Sequence, residues 1–265
     1  MKKSAVILCI ILLKAVVFGQ DKDIFKLDWA LDGVITGSVI GINAAGFLIE
    51  DKETAVMPGV LPLESVNSFD RWSAHKYSKP LDITGDALQY ASMLLPAFLI
   101  TTDMDQWLTI GVMYAEAACL SFGLKNLGKN IVVRYRPYTY FEGAPYEEDN
   151  DFQKSFPSGH TAMAFTGASF VSYVFSCYYP DSPWKIPVIA GSYVFAGATA
   201  AVRMASGNHF LSDVMAGAVI GSLSGILVPY MHKVEKNIHD SIMTNSNVDC
   251  TLSVNPSYCS VSFHF

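Results

Sequence analysis

Hydrophobic and polar positions divide the chain into a short apolar leader, six longer apolar stretches and polar connections. The six stretches run over residues 33–49, 88–102, 107–124, 161–177, 186–202 and 211–231. Each has at most about the 20 residues that a helix needs to cross a bilayer. Glycine, alanine and serine recur within them, which favours close helix–helix contact. The pattern predicts an all-α, membrane-embedded bundle of about six helices, and a soluble helical bundle is the alternative because several stretches are short.

The first 20 residues have the layout of a secretory signal peptide, with Lys2 and Lys3 before an apolar stretch that Lys14 interrupts. Cleavage near residues 19–21 and retention as an uncleaved anchor both fit this layout. We predict a signal peptide at 1–20, an N-terminal helix with polar loops at 21–85, a helical core at 86–231 and a polar C-terminal tail at 232–265.

Composition agrees with a membrane protein and argues against a nucleic-acid partner. Hydrophobic residues make up 51% of the chain and charged residues 16%, and the formal net charge is −6 without any long basic run. The five cysteines show no zinc-binding spacing. Cys119 and Cys177 are predicted as small buried residues, and Cys250 and Cys259 could form a disulfide in an oxidising compartment.

Polar residues capable of chemistry gather in three segments at the ends of predicted helices. The segments are "KNIVVRYRP" at 129–137, "PSGH" at 157–160 and "RMASGNHFLSD" at 203–213. In an up-and-down bundle, alternate helix ends lie on the same side of the membrane. The first two segments flank the loop between the third and fourth stretches, and the last lies between the fifth and sixth. We therefore expect all three at one site.

The residue types in these segments suit a phosphate group. Lys129, Arg136 and Arg203 would repel one another without an anion between them, and guanidinium groups bind phosphate oxygens in a bidentate manner. Ser158 and Gly159 precede a predicted helix, whose first N–H groups favour anions, with Ser158 as the helix cap.

Two histidines add a route to hydrolysis. His209 and Asp213 are four residues apart, so on a helix they would share a face, and the carboxylate would leave one ring nitrogen of His209 bare to attack phosphorus. His160 would then protonate the leaving oxygen. Three cations would offset the developing charge, so no metal is needed for this step.

The three segments resemble the type 2 phosphatidic acid phosphatase superfamily, which includes bacterial acid phosphatases and vanadium haloperoxidases. The family pattern has Lys, six intervening residues and Arg-Pro, then Pro-Ser-Gly-His, then Ser-Arg, His and Asp at fixed spacing. Here Val202 replaces the usual serine. The resemblance implies His209 as nucleophile, Asp213 as its orienting residue and His160 as general acid. The phosphate-binding residues that it implies are Lys129, Arg136, Ser158, Gly159 and Arg203, with no cofactor and no metal.

These inferences predict a metal-independent phosphatase that acts on a membrane lipid through a phosphohistidine. Phosphatidate, phosphatidylglycerophosphate, a polyprenyl diphosphate and a lipid A phosphate all fit. The alternatives are a soluble exported acid phosphatase of broad specificity, a vanadate-dependent haloperoxidase and a non-enzymatic lipid-binding protein. We expect a bacterial-type cell membrane, with the site facing the periplasm or exterior.

Several polar residues outside the pattern receive structural interpretations. Lys125 and Arg134 are predicted to lie beside lipid headgroups. Asp82 and Asp86 are predicted as residues of a helix start, and Glu116 is expected to face the bundle interior because its charge is costly in lipid.

Overall fold

The computed structural model describes residues 24–49, 56–145, 151–234, 249–255 and 258–264. The predicted signal peptide at 1–20 lies outside these residues. The chain divides into two compact units, Met1–Lys233 and Val234–Phe265. The α-helices of the first unit are α1 (Trp29–Leu48), α2 (Ser68–Arg71), α3 (Lys79–Met93), α4 (Trp107–Ile131), α5 (Gly159–Tyr178), α6 (Lys185–Ala205) and α7 (Leu211–Met231). Six of them are long, so the predicted helical bundle is confirmed.

Helix α3 begins nine residues before the apolar stretch that predicted it. Its N-cap is Ser78, a proline occupies the first turn and Asp82 adds a negative charge there, all of which favour a helix start. The apolar pattern missed this polar half because it faces the functional site described below. After Met93 the chain continues as a 3₁₀ helix at Leu95–Thr101.

The central helix of the bundle is α5. Most of its residues are buried, and it packs against α3, α4, α6 and α7. Within the described residues, five segments are long and apolar enough to cross a membrane, namely Trp29–Leu48, Lys79–Thr101, Met104–Ile131, Lys185–Ala205 and Leu211–Met231. Helix α5, the remaining long helix of the bundle, is absent from this set. Small and hydroxylated residues lower its hydropathy, and they suit contact with helices better than contact with lipid.

Apolar side chains cover the outer surface of the bundle. Leu48, Leu108, Ile186, Val194 and Leu223 are each at least 60% exposed. A water-soluble protein rarely exposes so much contiguous apolar surface. Together with the long apolar helices, this surface identifies a membrane protein.

Three glycines of α7 allow it to lie directly against α5. A Cβ atom at Gly217, Gly221 or Gly225 would lie 2.5, 2.1 or 2.6 Å from a carbonyl oxygen of α5 or its N-cap. No side chain fits at such distances, so this spacing of every fourth residue fixes the approach of the two backbones. The close contact that the small residues predicted is therefore present.

Helices α1 and α4 run parallel, which assigns the two ends of the bundle. Thr36 contacts Glu116 near the start of both helices, and the Asn130 amide donates to the Gly46 carbonyl near their ends. We call the end that carries Lys129 the site face, and the end that carries residue 28 and His232 the opposite face.

The second unit contains an antiparallel hairpin of β1 (Asp249–Asn255) and β2 (Tyr258–His264). The all-α fold is thus confirmed for the bundle, and the described part of the predicted polar C-terminal tail forms this hairpin. Cys250 pairs with Phe263 and Cys259 with Val254. The two cysteines are four residue pairs apart, roughly 13 Å at the usual strand rise. The side chains of Cys250 and Cys259 lie outside the described part of the structure, so the disulfide between them stays a prediction.

The prediction that Cys119 and Cys177 are core residues was also wrong. Cys119 is exposed on α4, and Cys177 is only half-buried. In a membrane-embedded bundle an apolar position can face lipid, so apolar character does not by itself predict burial.

Candidate active site

Two extended segments bring the basic residues of the first cluster beside "PSGH". The Arg134 N–H donates to the Gln153 carbonyl at 2.8 Å, and the Arg136 N–H donates to the Phe152 carbonyl at 2.8 Å. The Ser155 N–H donates in turn to the Arg134 carbonyl at 3.0 Å. Strand-like pairing, rather than helix, therefore positions the arginines next to the start of α5.

Arg136 and Lys129 meet at one carboxylate. Arg136 is 3% exposed and forms an ion pair with Asp151, and Lys129 Nζ lies 3.7 Å from the same side chain. Burial alone would raise the pKa of the Asp151 carboxyl, but Arg136 and Lys129 overcome this effect and lower it to about 2. Asp151 thus stays ionised and neutralises part of the positive charge, a role that the sequence pattern did not reveal.

Asn208 connects Arg136 to the third segment. Its side-chain oxygen accepts from Arg136 Nη1 at 3.2 Å, and its Nδ2 donates to Asp82 Oδ1 at 2.9 Å. Asp82 also pairs with Arg203. The arginines of the first and third segments are therefore joined through a single amide and a single carboxylate.

Arg203 and His160 share Asp86. His160 Nε2 lies 2.7 Å from Asp86 Oδ1, and Arg203 Nη1 lies 3.5 Å from the same atom. The prediction that Asp82 and Asp86 belong only to a helix start was incomplete, since both contact functional side chains. The buried Nε of Arg203 has no hydrogen-bond partner among the described residues, so one donor is available to an additional acceptor.

The start of α5 follows the predicted capping arrangement. Ser158 is the N-cap, and its hydroxyl accepts from the Thr161 N–H at 3.4 Å. A Cβ at Gly159 would lie 2.8 Å from Lys125 Cδ, so the glycine lets this lysine lie across the helix N-terminus. The prediction that Lys125 lies beside lipid headgroups was wrong, because the start of α5 packs against its side chain.

His209 lies in the turn before α7 and is 1% exposed. Its Nδ1 is 2.7 Å from the Ser155 carbonyl oxygen and 3.8 Å from Asp213 Oδ2. A hydrogen bond thus joins the ring to a backbone carbonyl, not to the carboxylate. The expectation of a shared helical face was wrong because α7 begins only at Leu211.

The surroundings of His209 favour its neutral form. Burial lowers the pKa of the His209 imidazole well below its usual value, and Arg136 and Arg203 lower it further. Because a carbonyl can only accept, the hydrogen on this ring belongs on Nδ1, and Nε2 carries the lone pair.

Asp213 supports this turn from within a buried network. Its carboxylate accepts from the Ser155 hydroxyl at 2.6 Å and from the Phe210 N–H at 2.8 Å. Arg134 Nη1 lies 2.5 Å from Asp213 Oδ1 and its Nη2 lies 2.7 Å from Asp70 Oδ2. Arg134 therefore joins two buried carboxylates, and its predicted place at the headgroups was wrong.

Asp70 holds the other side of the same network. It accepts from the N–H and hydroxyl of Ser212 at 2.9 and 2.8 Å. Although burial raises the pKa of the Asp70 carboxyl, these bonds together with Asn67 and Arg134 give a net lowering. The sequence offered no periodic signal for this contact, because Asp70 and Ser212 are 142 residues apart.

All eight predicted site residues thus lie in one connected set at the site face. The His209 N–H donates to the Arg203 carbonyl at 3.2 Å, and the Ser158 N–H donates to the Asp213 carbonyl at 3.0 Å. Four cationic side chains and two imidazoles around one helix N-terminus can bind a tetrahedral oxyanion and place a nitrogen nucleophile near it. In the described part of the chain, the group of side chains spaced to ligate a metal is Asp32, Glu116 and His232, which lies elsewhere.

Comparison with known proteins gives one family match and one curated relative. The PAP2 superfamily model matches residues 107–236. Lipid A 1-phosphatase of Porphyromonas gingivalis is 35% identical over 121 residues, which cover 46% of this chain and 23% of that protein. The chain thus aligns with less than a quarter of this relative's length.

Comparison with solved structures also gives matches, among them the following two. LpxE of Aquifex aeolicus has a TM-score of 0.43 at 24% identity, covering 63% of this chain and 98% of that one. The transmembrane PAP2-type phosphatidylglycerolphosphate phosphatase from Bacillus subtilis has a TM-score of 0.38 at 19% identity, covering 86% of this chain and 94% of that one.

The matched residues 107–236 contain all three polar segments, from Lys129 to Asp213, together with the helices α4 to α7 that carry them. Over these residues, which carry all eight predicted site residues, the chain matches the PAP2 superfamily.

Proposed function

We propose that this protein is a phosphatase that hydrolyses a phosphomonoester or diphosphate of a membrane lipid. The observation that carries the proposal is the joining of Lys129, Arg136, Arg203, His160 and His209 at one end of a bundle of lipid-exposed helices. A lipid would place its phosphate at this face and its acyl or prenyl chains along the bundle. The curated relative is named a lipid A 1-phosphatase, which favours lipid A phosphate among the candidate substrates.

The first chemical step would form a bond between nitrogen and phosphorus. The Ser155 carbonyl fixes the hydrogen of His209 on Nδ1, so Nε2 is the nucleophilic atom. As the N–P bond forms, the P–O bond to the lipid breaks. The leaving oxygen takes a proton from His160, whose ring Asp86 orients at 2.7 Å.

The second step would return the enzyme to its starting state. His160, now neutral, removes a proton from water while the water oxygen attacks phosphorus. The N–P bond breaks, inorganic phosphate leaves and His209 Nε2 recovers its lone pair. The roles of His160 in the two steps are the reverse of each other, as microscopic reversibility requires.

Positive charge around the phosphate would do the work that a metal does in other phosphatases. Arg136 and Arg203 are buried, and Lys129 and Lys125 lie beside them. In a site shielded from water, such charges stabilise the additional negative charge of the transition state. Asp151 competes with phosphate for Arg136 and Lys129, so we propose that it moves away when substrate binds.

The proposal is tested by phosphate release in detergent micelles from a panel of lipid phosphates and water-soluble phosphomonoesters, each assayed within minutes of adding EDTA. We expect release from at least one lipid phosphate, little release from the soluble esters and no effect of EDTA. Strict dependence on magnesium would contradict the metal-independent mechanism. Release from soluble esters alone would support an acid phosphatase, and bromide oxidation that depends on vanadate would support a haloperoxidase.

We further propose that the site faces the exported side of the membrane. Because α1 crosses the whole bundle, this orientation requires residue 28 at the cytoplasmic side. With the site on the exported side, Lys26, Lys185 and Lys233 would lie in the cytoplasm, as the positive-inside rule favours. Lys76 and Lys79 lie at the site face, so their charges favour the opposite orientation. A leader cleaved at residue 20 would give the reverse orientation.

Cysteine labelling in intact cells decides the orientation. In a chain whose native cysteines are replaced by serine, Glu142→Cys lies at the site face and Asp181→Cys at the opposite face, and both positions are exposed. We expect a membrane-impermeant maleimide to label Glu142→Cys and not Asp181→Cys. The reverse labelling pattern would place the site in the cytoplasm.

A further inference from the structure

Three side chains with metal-ligating atoms meet at the opposite face of the bundle. Asp32 lies in the first turn of α1, Glu116 lies within α4 and His232 directly follows α7. One ligand atom from each lies within 4.8 Å of the other two. Nineteen residues of α7 separate Asp213 from His232, roughly 28 Å at the usual helix rise, so the phosphate site does not explain this cluster.

The ring of His232 is oriented as that of a metal ligand. Its Nδ1 lies 2.9 Å from the Val228 carbonyl oxygen, so the hydrogen belongs on Nδ1 and Nε2 points toward the carboxylates. Nε2 is 2.7 Å from Asp32 Oδ1 and 3.6 Å from Glu116 Oε2. Histidines that bind metals commonly donate their second ring N–H to a backbone carbonyl in this way, which fixes the ring.

Glu116 supplies a second, independent indication of a ligand. The residue is 7% exposed, as expected for a charge that faces the bundle interior, and its Oε2 is buried without a hydrogen bond to any described residue. The other oxygen, Oε1, accepts from the Thr36 hydroxyl at 3.2 Å. One oxygen is thus held in place and the other directed at His232, an arrangement that is costly unless something compensates its charge.

Charge also favours a divalent ion at this place. Once His232 Nε2 gives up its proton, as metal binding requires, two carboxylates and a neutral imidazole carry a net charge of −2, which a low-dielectric interior strongly disfavours. One divalent cation makes the cluster neutral. The observed mixture of one imidazole and two carboxylates is a zinc-type ligand set, with a fourth position for water.

We propose that Asp32, Glu116 and His232 bind one divalent transition-metal ion, with Zn²⁺ as the best match. Asp32 Oδ1, Glu116 Oε2 and His232 Nε2 are the ligand atoms. The Asp32 side chain is 19% exposed, which gives an ion and its water access from the membrane surface. The ion joins α1, α4 and α7 and stabilises the bundle away from the phosphate site.

Metal content of the full-length protein in detergent tests this site. The protein is purified through a tag without histidine, its metals are measured by mass spectrometry and it is titrated with Zn²⁺ and Co²⁺. We expect about one zinc ion per chain, a visible Co²⁺ spectrum typical of tetrahedral coordination, and a rise in Tm that saturates as the site fills.

Two variants and a matched control identify the ligands. Glu116→Gln keeps the side-chain volume and the contact with Thr36, and His232→Asn removes the imidazole. We expect each to weaken zinc binding by at least about tenfold and to abolish the zinc-dependent rise in Tm. Glu142→Gln changes an exposed carboxylate in a loop and should bind zinc as the wild type does.

Other outcomes would overturn the site. Wild-type protein that does not bind zinc or cobalt would show that a proton on Glu116 compensates the cluster instead. Equal binding by the wild type and both variants would locate the metal elsewhere. Because metal content and Tm are measured without substrate, neither result depends on phosphatase activity.

Discussion

Replacing His209 with alanine is expected to abolish phosphate release from the lipid substrate, lowering kcat/KM by about a thousandfold or more. The variant lacks the atom that attacks phosphorus, while the cations that bind phosphate remain. Phosphate release in micelles measures the loss, and unchanged Tm and detergent-exchange behaviour show that the variant is folded. His75→Gln is the matched control because His75 is an exposed histidine in the same unit.

A trapping experiment separates a nucleophilic His209 from one that only binds phosphate. With a phosphoester whose leaving group needs no protonation, His160→Ala should form the intermediate but hydrolyse it slowly. Labelled phosphate should then accumulate on the protein, resist alkali and be lost in acid, as a phosphorus–nitrogen bond requires. It should be absent from the double variant that also carries His209→Ala. Normal turnover by His209→Ala, or labelling that persists in the double variant, would contradict the nucleophilic role.

Replacing Arg134 with methionine is expected to give the largest loss of stability, about 3–5 kcal/mol in the free energy of unfolding. Arg134 pairs with Asp213 and Asp70, whose side chains are 0% and 3% exposed. Its loss leaves two buried carboxylates without their cation. Denaturant or thermal unfolding in detergent measures the effect, and Lys76→Met is the matched control because Lys76 is exposed at the same face.

A double-variant cycle isolates the ion pair from the loss of packing. When Asp70→Asn is combined with Arg134→Met, the total destabilisation should be smaller than the sum of the two single effects, since one buried charge has been removed. Additive effects, with Arg134→Met costing less than about 1 kcal/mol, would show that Arg134 behaves as a surface cation after all. Activity should fall with Arg134→Met too, because Asp213 and Ser155 support the turn that holds His209.

The spacing of residues in the sequence identified only part of the site. Pro157 to His160 and the segment from Arg203 to Asp213 were recognisable because each is contiguous in sequence. Asp70, Asp86 and Asp151 were not, because each reaches the site from a separate part of the chain and no local pattern marks it. The four-residue spacing of His209 and Asp213 correctly predicted that they lie close together. It wrongly predicted a hydrogen bond between them, because a turn and not a helix connects the two residues.

The membrane bundle shows a similar division. Apolar runs predicted the helices, and the small residues within them predicted close helix–helix contact, but only the structure shows that the glycines of α7 lie against α5. The runs did not show that α5 is enclosed by other helices, nor that the polar residues before residue 88 extend α3 to the site. Burial in lipid and burial in protein select the same apolar side chains, so hydropathy could not distinguish them.

The sequence by itself determined the helical class, the membrane setting and the three segments that carry the chemistry, because these follow from local composition and short-range spacing. Only the tertiary structure decided the partners: Asp151 with Arg136, Asp86 with His160, the Ser155 carbonyl with His209, and Arg134 between two carboxylates. These contacts join residues far apart in the chain and depend on the directions in which helix ends and turns present their side chains. Local sequence does not encode those directions, since the packing of all the helices fixes them together.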